Sequence, residues 1–179
     1  MDRNLGASRA ATSSTDAESY GDLYQWGRAA DGHQVRTSPT TTTLSSTDQP
    51  GHGEFVLAPD SRYDWRSPQN DNLWQGVNGV NNPCPDGYRL PTQAEWEAER
   101  NSWSSNDLNG AYASPLKLPV AGYRGFSHGS LYDVGSNGRY WSGTVGGTRS
   151  RNLLFGSSNA YMYSSSKRAD GRSVRCLKN

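Results

Sequence analysis

The C-terminal segment from Ser136 to Ser173 constrains this chain most, because it is neither a flexible linker nor an ordinary core region. Ser, Gly, Arg, Asn, Tyr and Asp fill 27 of its 38 positions. A Gly/Ser linker lacks apolar anchors, but aromatic and aliphatic residues interrupt this segment at strand-like spacing, at Tyr140-Trp141, Leu153-Leu154-Phe155 and Tyr161-Met162-Tyr163. Tyrosine gives contact area at low entropy cost, and small polar residues give adaptable hydrogen bonds. The segment therefore favours recognition over catalysis.

The composition predicts one domain over residues 1–179, held together largely by aromatic side chains. Only 32% of the residues are hydrophobic, which is low for a folded domain, but there are six Trp, ten Tyr and three Phe. Rings bury large areas, and so many of them argue against disorder. No run approaches the roughly 20 apolar residues of a membrane span, and no signal peptide is visible at the start.

Charge is unevenly distributed along the chain, although the formal net charge is only +1. Residues 131–179 contain eight Lys and Arg against Asp133 and Asp170, whereas residues 1–130 contain ten against fifteen acidic residues. A basic C-terminal surface favours acidic partners, while ordinary solvated arginines would give the same count. We expect a protein or other macromolecular ligand of acidic character. The near-zero net charge and the lack of a nucleic-acid-binding motif disfavour nucleic acid.

One helix is clearly predicted, at about residues 92–104. Thr92 and Glu95 have the spacing of a capping box, and Pro91 cannot extend the helix backwards. A partial apolar face follows at Ala94, Trp96, Ala98 and Trp103. Turn signals are dense elsewhere, so the rest is predicted to form short strands and loops.

Alternation near the end of the tail predicts which side chains reach solvent. Successive residues of a strand point to opposite faces. Ala160 and Met162 are therefore predicted to face inward, and Asn159, Tyr161 and Tyr163 to face outward.

The preceding stretch, residues 149–155, follows the same alternation. Leu153 and Phe155 are predicted core residues. Asn152 and Leu154 then point outward, and an exposed Leu154 is itself a candidate contact residue.

Two cysteines, Cys84 and Cys176, leave two alternatives open. They can form one disulfide that ties the C-terminal region to the middle of the domain. They can equally be two buried free thiols, since cysteine packs as a small hydrophobic residue.

The segment around the predicted helix resembles a known family. Residues Cys84–Glu99 (CPDGYRLPTQAEWEAE) resemble proteins with the formylglycine-generating-enzyme type of C-type lectin fold. Further motifs, in the same order, are similar to the Fibrobacter succinogenes major paralogous domain: Met1–Ala7 (MDRNLGA), Tyr20–Arg28 (YGDLYQWGR), Asn78–Cys84 (NGVNNPC), Tyr140–Ser142 (YWS) and Ser173–Cys176 (SVRC). The resemblance covers nearly the whole chain. It implies an α+β, loop-rich C-type lectin fold with short antiparallel strands and one clear helix.

The tail carries a second resemblance, to the variable region of a diversity-generating retroelement target protein. Its features are a Trp-Ser start, a middle rich in Ser, Asn, Tyr and Gly, and the Ser-Val-Arg-Cys176 close. In that family reverse transcription alters template adenines, so asparagine-type codons scatter into Ser, Gly, Asp, Tyr, Arg and Leu. The segment Ala169–Arg172 resembles an altered Asn-rich tetrad. The resemblance implies a diversified ligand-binding face built from about residues 139–172.

The expected ligand-binding positions lie within that face. They are Arg139, Gly143, Gly146, Arg149, Arg151, Asn152, Leu154, Gly156, Ser157, Asn159, Tyr161, Tyr163, Ser165, Asp170 and Arg172. The strongest candidates are the tyrosines and arginines that are most enriched in binding hot spots, namely Tyr161, Tyr163, Arg149, Arg151 and Arg172. We expect a monomer at the cell surface, secreted or on a virion.

Three alternatives have less support. The first is a fixed-specificity surface adhesion domain of the same fold. The second is a formylglycine-generating-type oxidase, which relies on a cysteine pair for copper, whereas Cys84 and Cys176 match a structural pair better. The third is calcium-dependent sugar binding, for which Trp141-Ser142-Gly143 lacks the expected acid. We therefore expect no enzymatic activity, metal or cofactor. The histidines lack metal-ligand spacing and are expected in exposed loops: His33, His52 and His128.

Overall fold

The protein is a mixed α+β structure made mostly of short strands. The computed structural model describes residues 1–60 and 63–179. The helices in these ranges are a 3-10 helix at Ala17–Ser19, α1 at Gln93–Asn101 and α2 at Leu108–Ala113. The strands are β1 Tyr24–Gln25, β2 Thr40–Thr41, β3 Phe55–Val56, β4 Tyr88–Arg89, β5 Tyr123–Arg124, β6 Leu131–Tyr132, β7 Gly138–Gly146, β8 Arg149–Phe155, β9 Ala160–Ser166, β10 Gly171–Arg172 and β11 Leu177–Lys178.

The strands form small sheets, of which two position the C-terminal segment. One is three-stranded and antiparallel, in the order β7-β8-β9, and the other is four-stranded and antiparallel, in the order β1-β10-β5-β6. A bridge between Tyr140 and Ser173 joins the two. Strands β4 and β11 form an antiparallel pair, whereas β2 and β3 pair in parallel. Short antiparallel strands were predicted, and β2–β3 is the exception.

The predicted capped helix is confirmed, with a slightly shorter extent. The Thr92 hydroxyl accepts from the backbone N–H of Glu95, and the Glu95 carboxylate accepts from the backbone N–H of Thr92. Arg89 donates to the same carboxylate at 2.7 and 2.8 Å, and this pairing lowers the pKa of Glu95 to about 2. The helix ends at Asn101 because the Ser102 hydroxyl and the Trp103 indole both turn back to Glu99.

The three-stranded sheet buries one face against α1. Directly paired residues of antiparallel strands lie on the same face. The buried face carries the rows Tyr140–Leu153–Met162 and Gly138–Phe155–Ala160. These side chains form one apolar cluster with Trp96 of α1. The predicted inward positions Leu153, Phe155 and Ala160 are confirmed as buried.

The opposite face of this sheet, called the outer face below, is only partly open to solvent. It carries the rows Arg139–Leu154–Tyr161 and Trp141–Asn152–Tyr163. Tyr161 and Tyr163 are exposed, as predicted. Trp141, Asn152 and Leu154 are nevertheless buried, and the Arg172 guanidinium lies 4.7 Å from the centroid of the Trp141 ring.

Tryptophans link the two larger sheets through hydrogen bonds to the backbone. The Trp26 indole donates to the Ser142 carbonyl at 3.0 Å, and the Trp141 indole donates to the Tyr24 carbonyl at 2.7 Å. The Trp65 indole donates to the carbonyl of Trp26, and the Trp96 indole donates to that of Trp141. All four rings are buried. Each therefore fills the core and satisfies its own polar group there.

The disulfide alternative is the one the structure contains. Cys84 and Cys176 are joined, with their Cα atoms 5.8 Å apart and a sequence separation of 92. A cross-link over so long a segment limits the unfolded chain strongly, and in the chain-entropy view such bonds contribute about 4 kcal/mol. The bond holds the segment before α1 against β11.

Strand β10 is only two residues long and leaves no room for a side chain at its first position. A Cβ at Gly171 would lie 2.9 Å from the Phe55 ring and 3.1 Å from both Arg124 Cβ and the Leu23 carbonyl oxygen. Gly171 pairs with Gln25 and with Arg124, so it sits between two neighbouring strands. Glycine is therefore required here by space alone.

His33 is a core residue, which corrects the prediction of an exposed loop histidine. Its Nε2 accepts from the Gln25 backbone N–H at 3.1 Å, and its Nδ1 lies 2.6 Å from Asp31. Asp31 also pairs with the buried guanidinium of Arg28 at 2.8 Å. Burial is the main reason that the pKa of His33 falls to about 4, so the ring is neutral at neutral pH.

The low pKa of His33 predicts a loss of stability in mild acid. The unfolded chain takes up a proton near pH 6.5 and the folded chain near pH 4, so stability is present above pH 6.5 and falls as the pH drops toward 4. Between pH 7 and pH 5 the wild type should lose about 2 kcal/mol more unfolding free energy than His33→Gln. Urea unfolding of both at each pH measures this difference.

The comparison must be made between variants, because Asp64 titrates in the same range with the opposite sign. Burial raises the pKa of Asp64 to about 6, so its protonation stabilises the folded state as the pH falls below 6. His128→Gln, at an exposed histidine, is the matched control and should keep the wild-type pH dependence. Identical curves for His33→Gln and the wild type would contradict the prediction.

Candidate ligand-binding pocket

A concave pocket of about 280 Å³ lies over the outer face of the three-stranded sheet, where the β5–β6 hairpin approaches it. Predicted contact positions supply part of its lining: Arg139, Tyr163, Ser165, Asp170 and Arg172. The remainder of the lining is Tyr123, Gly125, Phe126, Ser127, Tyr132 and Lys167. We call this the aromatic pocket.

Two stacked tyrosines form one wall of the aromatic pocket. Tyr123 of β5 and Tyr132 of β6 are directly paired, and their ring centroids are 5.3 Å apart. Tyr132 is 41% exposed, whereas Tyr123 is half-buried, and burial raises the pKa of Tyr123. A Cβ at Gly125 would lie 2.7 Å from the Tyr132 ring, so this glycine leaves the space that the ring occupies.

A buried ion pair forms the floor. Arg172 is only 3% exposed, and its Nη2 lies 2.8 Å from Asp170 Oδ2. The guanidinium lies 4.7 Å from the centroid of the Trp141 ring. Burial lowers the pKa of Arg172, and Asp170 opposes that shift. The other carboxylate oxygen of Asp170 accepts from the backbone N–H of Phe126, which ties the hairpin loop to the floor.

Two of the three Arg172 nitrogens have no partner. Nε and Nη1 are buried and donate to no acceptor within the part of the chain that the structure describes. Both oxygens of Asp170 are already engaged. The floor therefore has two unpaired N–H donors on Arg172, while both carboxylate oxygens of Asp170 already accept hydrogen bonds.

The rim carries two further cations. Lys167 Nζ lies 3.9 Å from the centroid of the Phe126 ring and 4.9 Å from that of Tyr63, and no carboxylate of residues 1–60 or 63–179 pairs with it. The Arg139 guanidinium lies 4.3 Å from the Tyr123 centroid and 2.9 Å from Asp133. The lining thus contains three cations and one carboxylate.

The remaining predicted positions divide into an exposed, a half-buried and a buried group. Exposed positions around β9 are Ser157, Asn159 and Tyr161, and the Tyr161 ring centroid lies 6.4 Å from that of Tyr163. Half-buried positions are Gly143, Gly146, Arg149 and Arg151.

The half-buried arginines make internal contacts instead of projecting freely. The Arg149 guanidinium lies 4.1 Å from the Tyr63 ring centroid, and Arg151 donates to the Ser164 carbonyl at 3.3 Å. Gly143 is not near the aromatic pocket: it lines a separate cavity of about 320 Å³ with Trp74 and Leu90.

Five predicted contact positions are buried, which corrects their expected exposure. They are Asn152, Leu154, Gly156, Asp170 and Arg172. Alternation gave the right face for Asn152 and Leu154, but the outer face is covered at both positions. The Asn152 amide donates to the Leu153 carbonyl and its oxygen accepts from Ser166, so it serves the fold.

Gly156, Asp170 and Arg172 are buried for different reasons. A Cβ at Gly156 would lie 2.6 Å from Asn137 Oδ1, so a side chain there would have to displace the Asn137 amide. Asp170 and Arg172 neutralise each other in the pocket floor. Both side chains line the pocket floor and are almost completely buried.

Sequence reasoning missed the hairpin wall and Lys167. The aromatic and glycine residues between Tyr123 and Tyr132 lie outside residues 139–172, the segment predicted to bind the ligand. Their signal was the repeated pairing of an aromatic residue with a glycine, at Gly122-Tyr123 and Gly125-Phe126. A glycine beside an aromatic residue lets another part of the chain pack closely against the backbone next to the ring.

Among residues 1–60 and 63–179, no group of three or more His, Cys, Asp or Glu side chains is placed to hold a metal ion. No helix in the same ranges is long and apolar enough to cross a membrane.

The buried ion pair predicts that a substitution in the pocket floor lowers stability much more than a substitution at an exposed position of β9. Arg172→Ala leaves Asp170 buried without its cation, so it should lower the unfolding free energy by about 3 kcal/mol. Tyr161→Ala, at an exposed position, should change it by less than about 0.5 kcal/mol. Urea unfolding at pH 7 measures both. Equal effects would show that Arg172 is not structural.

Comparison with known proteins found no matching family model, curated protein or solved structure. The function is therefore inferred from the residues of the site itself.

Proposed function

We propose that this protein is a ligand-binding domain whose C-terminal surface is diversified by a retroelement to recognise macromolecular ligands. The scaffold we propose is a C-type lectin fold of the formylglycine-generating-enzyme type. The α+β architecture, the capped helix α1 against a three-stranded sheet and the high loop content support this scaffold.

One observation carries the functional proposal: in β9, inward and exposed side chains alternate from Ala160 to Tyr163. Leu153, Phe155 and Ala160 are buried against α1, while Tyr161 and Tyr163 of the same sheet are 39% and 38% exposed. Side chains on the exposed side can be exchanged without changing a core contact. A receptor with a variable specificity needs this separation.

The exposed tyrosines suit protein recognition. Their rings are 6.4 Å apart, and neither phenol is held by a hydrogen bond within the described ranges. Each ring can bury area and still offer its hydroxyl to a partner at small entropy cost. The aromatic pocket lies beside them, because Tyr163 also lines it.

The structure narrows the face that could vary. Among the predicted contact positions, the exposed ones around β9 are Ser157, Asn159, Tyr161, Tyr163 and Ser165. Exchange at the five buried positions would disturb packing, an ion pair or a close backbone approach. We therefore propose that the useful diversity lies around β9 and the pocket rim.

The pairing of the two cysteines disfavours the oxidase alternative. Such an enzyme needs a cysteine pair available to copper, whereas Cys84 and Cys176 are bonded to each other and Cys176 is buried. The fixed-specificity adhesion domain remains the competing proposal, since it would use the same face.

Sequencing this gene and its flanks across the source population tests the proposal. We expect adenine-matched substitutions in the codons for exposed positions such as Tyr161, Tyr163 and Ser165, with a near-copy template and a reverse transcriptase gene nearby. The codons for Leu153 and Phe155 serve as the internal control and should be constant. A uniform segment without a template would instead support the fixed-specificity adhesion domain.

A further inference from the structure

We propose that the aromatic pocket binds a carboxylate side chain, Asp or Glu, of a protein ligand, with Lys167 as its charge partner. The proposal rests on the proposed binding function and adds the chemistry that the site selects. It also assigns part of the site to the β5–β6 hairpin, which lies outside residues 139–172.

The charges of the pocket are unbalanced toward an anion. Arg172 and Asp170 neutralise each other, and Arg139 pairs with Asp133 at the rim. Of the three cations in the pocket lining, Lys167 is the one without a carboxylate partner in the described chain. Its ammonium group lies over the rings of Phe126 and Tyr63. A ligand carboxylate would complete this pairing with a charge-assisted hydrogen bond.

The floor adds a second observation. Arg172 is almost completely buried in the lining, yet its Nε and Nη1 lack acceptors. Buried guanidinium nitrogens are normally paired. Their positive charge lies beneath the pocket and favours a negative group above it.

The shape of the pocket favours a short side chain over a base or a sugar ring. Tyr123 is already stacked on Tyr132 and contacted by Arg139, so its ring has little surface left for a flat ligand. Phe126 is contacted by Lys167. A glutamate could place its methylenes against the exposed Tyr132 and Tyr163 rings and its carboxylate at Lys167. A phosphodiester backbone would instead need a row of free cations.

The test is an NMR titration of the full chain with three small probes at equal concentration and ionic strength. These are glutamate blocked at both ends, glutamine blocked in the same way, and inorganic phosphate. We expect blocked glutamate to shift the backbone amides of Phe126, Lys167 and Asp170, and blocked glutamine to shift them little. Added salt should weaken the effect.

Variants at two lysines then assign the charge. Lys167→Gln should weaken blocked-glutamate binding by about fivefold or more, because it removes the unpaired cation. Lys178→Gln, at an exposed lysine of β11 outside the pocket, is the matched control and should bind as the wild type does. Lys167→Arg keeps the charge and should retain most of the binding, which separates loss of charge from misfolding.

Three results would overturn the proposal: equal shifts with blocked glutamine, unchanged binding in Lys167→Gln, or a response to phosphate without one to glutamate. The last would indicate a phosphate-bearing ligand. None of these results depends on whether the tail varies in the population. Failure of the pocket assignment is thus distinguishable from failure of the proposed diversification.

Discussion

The hydrogen bonds from buried indoles to backbone carbonyls hold this fold together. Trp26 donates to Ser142 and Trp141 donates to Tyr24, so two segments more than a hundred residues apart exchange a reciprocal pair of bonds. The chain has few aliphatic residues, and its core depends on rings whose polar edges must be satisfied. Because each indole fixes a particular carbonyl, these rings determine position as well as burying area.

The pocket follows from this arrangement. The indole bonds bring β1 against β7, and β10 then fits between β1 and β5. Arg172 of β10 lies on the Trp141 ring, and Asp170 beside it holds the β5–β6 hairpin through Phe126. One tryptophan of the core thus supports the floor of the site directly. Trp141 therefore contributes both to the core and to the candidate pocket.

Local patterns predicted the parts of the fold that depend on near neighbours. The capping box at Thr92 and Glu95, and the inward positions of β8 and β9, needed only spacing and alternation. Helix α2 was missed because its six residues include Gly110 and show no apolar period; its cap comes from Asp107. His33 was misplaced because its partners, Gln25 and Asp31, become a buried network only when the chain is folded.

The site was harder to predict than the fold, for a physical reason. Alternation assigns a side chain to a face but does not say what covers that face, so it predicts exposed side chains at Asn152 and Leu154, which are buried. Arg172 was chosen for its residue type, although its burial depends on Asp170 and Trp141. The hairpin wall lay outside the segment of unusual composition, so nothing in that segment pointed to Tyr132.

Gly171 limits the number of tail positions at which a different residue is compatible with the fold. It lies within the tail, and the Phe55 ring, Arg124 and the Leu23 carbonyl leave no volume for a side chain there. A process that rewrites codons without regard to burial would produce some chains with a side chain at position 171. In those chains β10 could not pack between its neighbouring strands. Under the proposed diversification, the number of unconfined positions would therefore set the repertoire, and the length of the segment would overstate it.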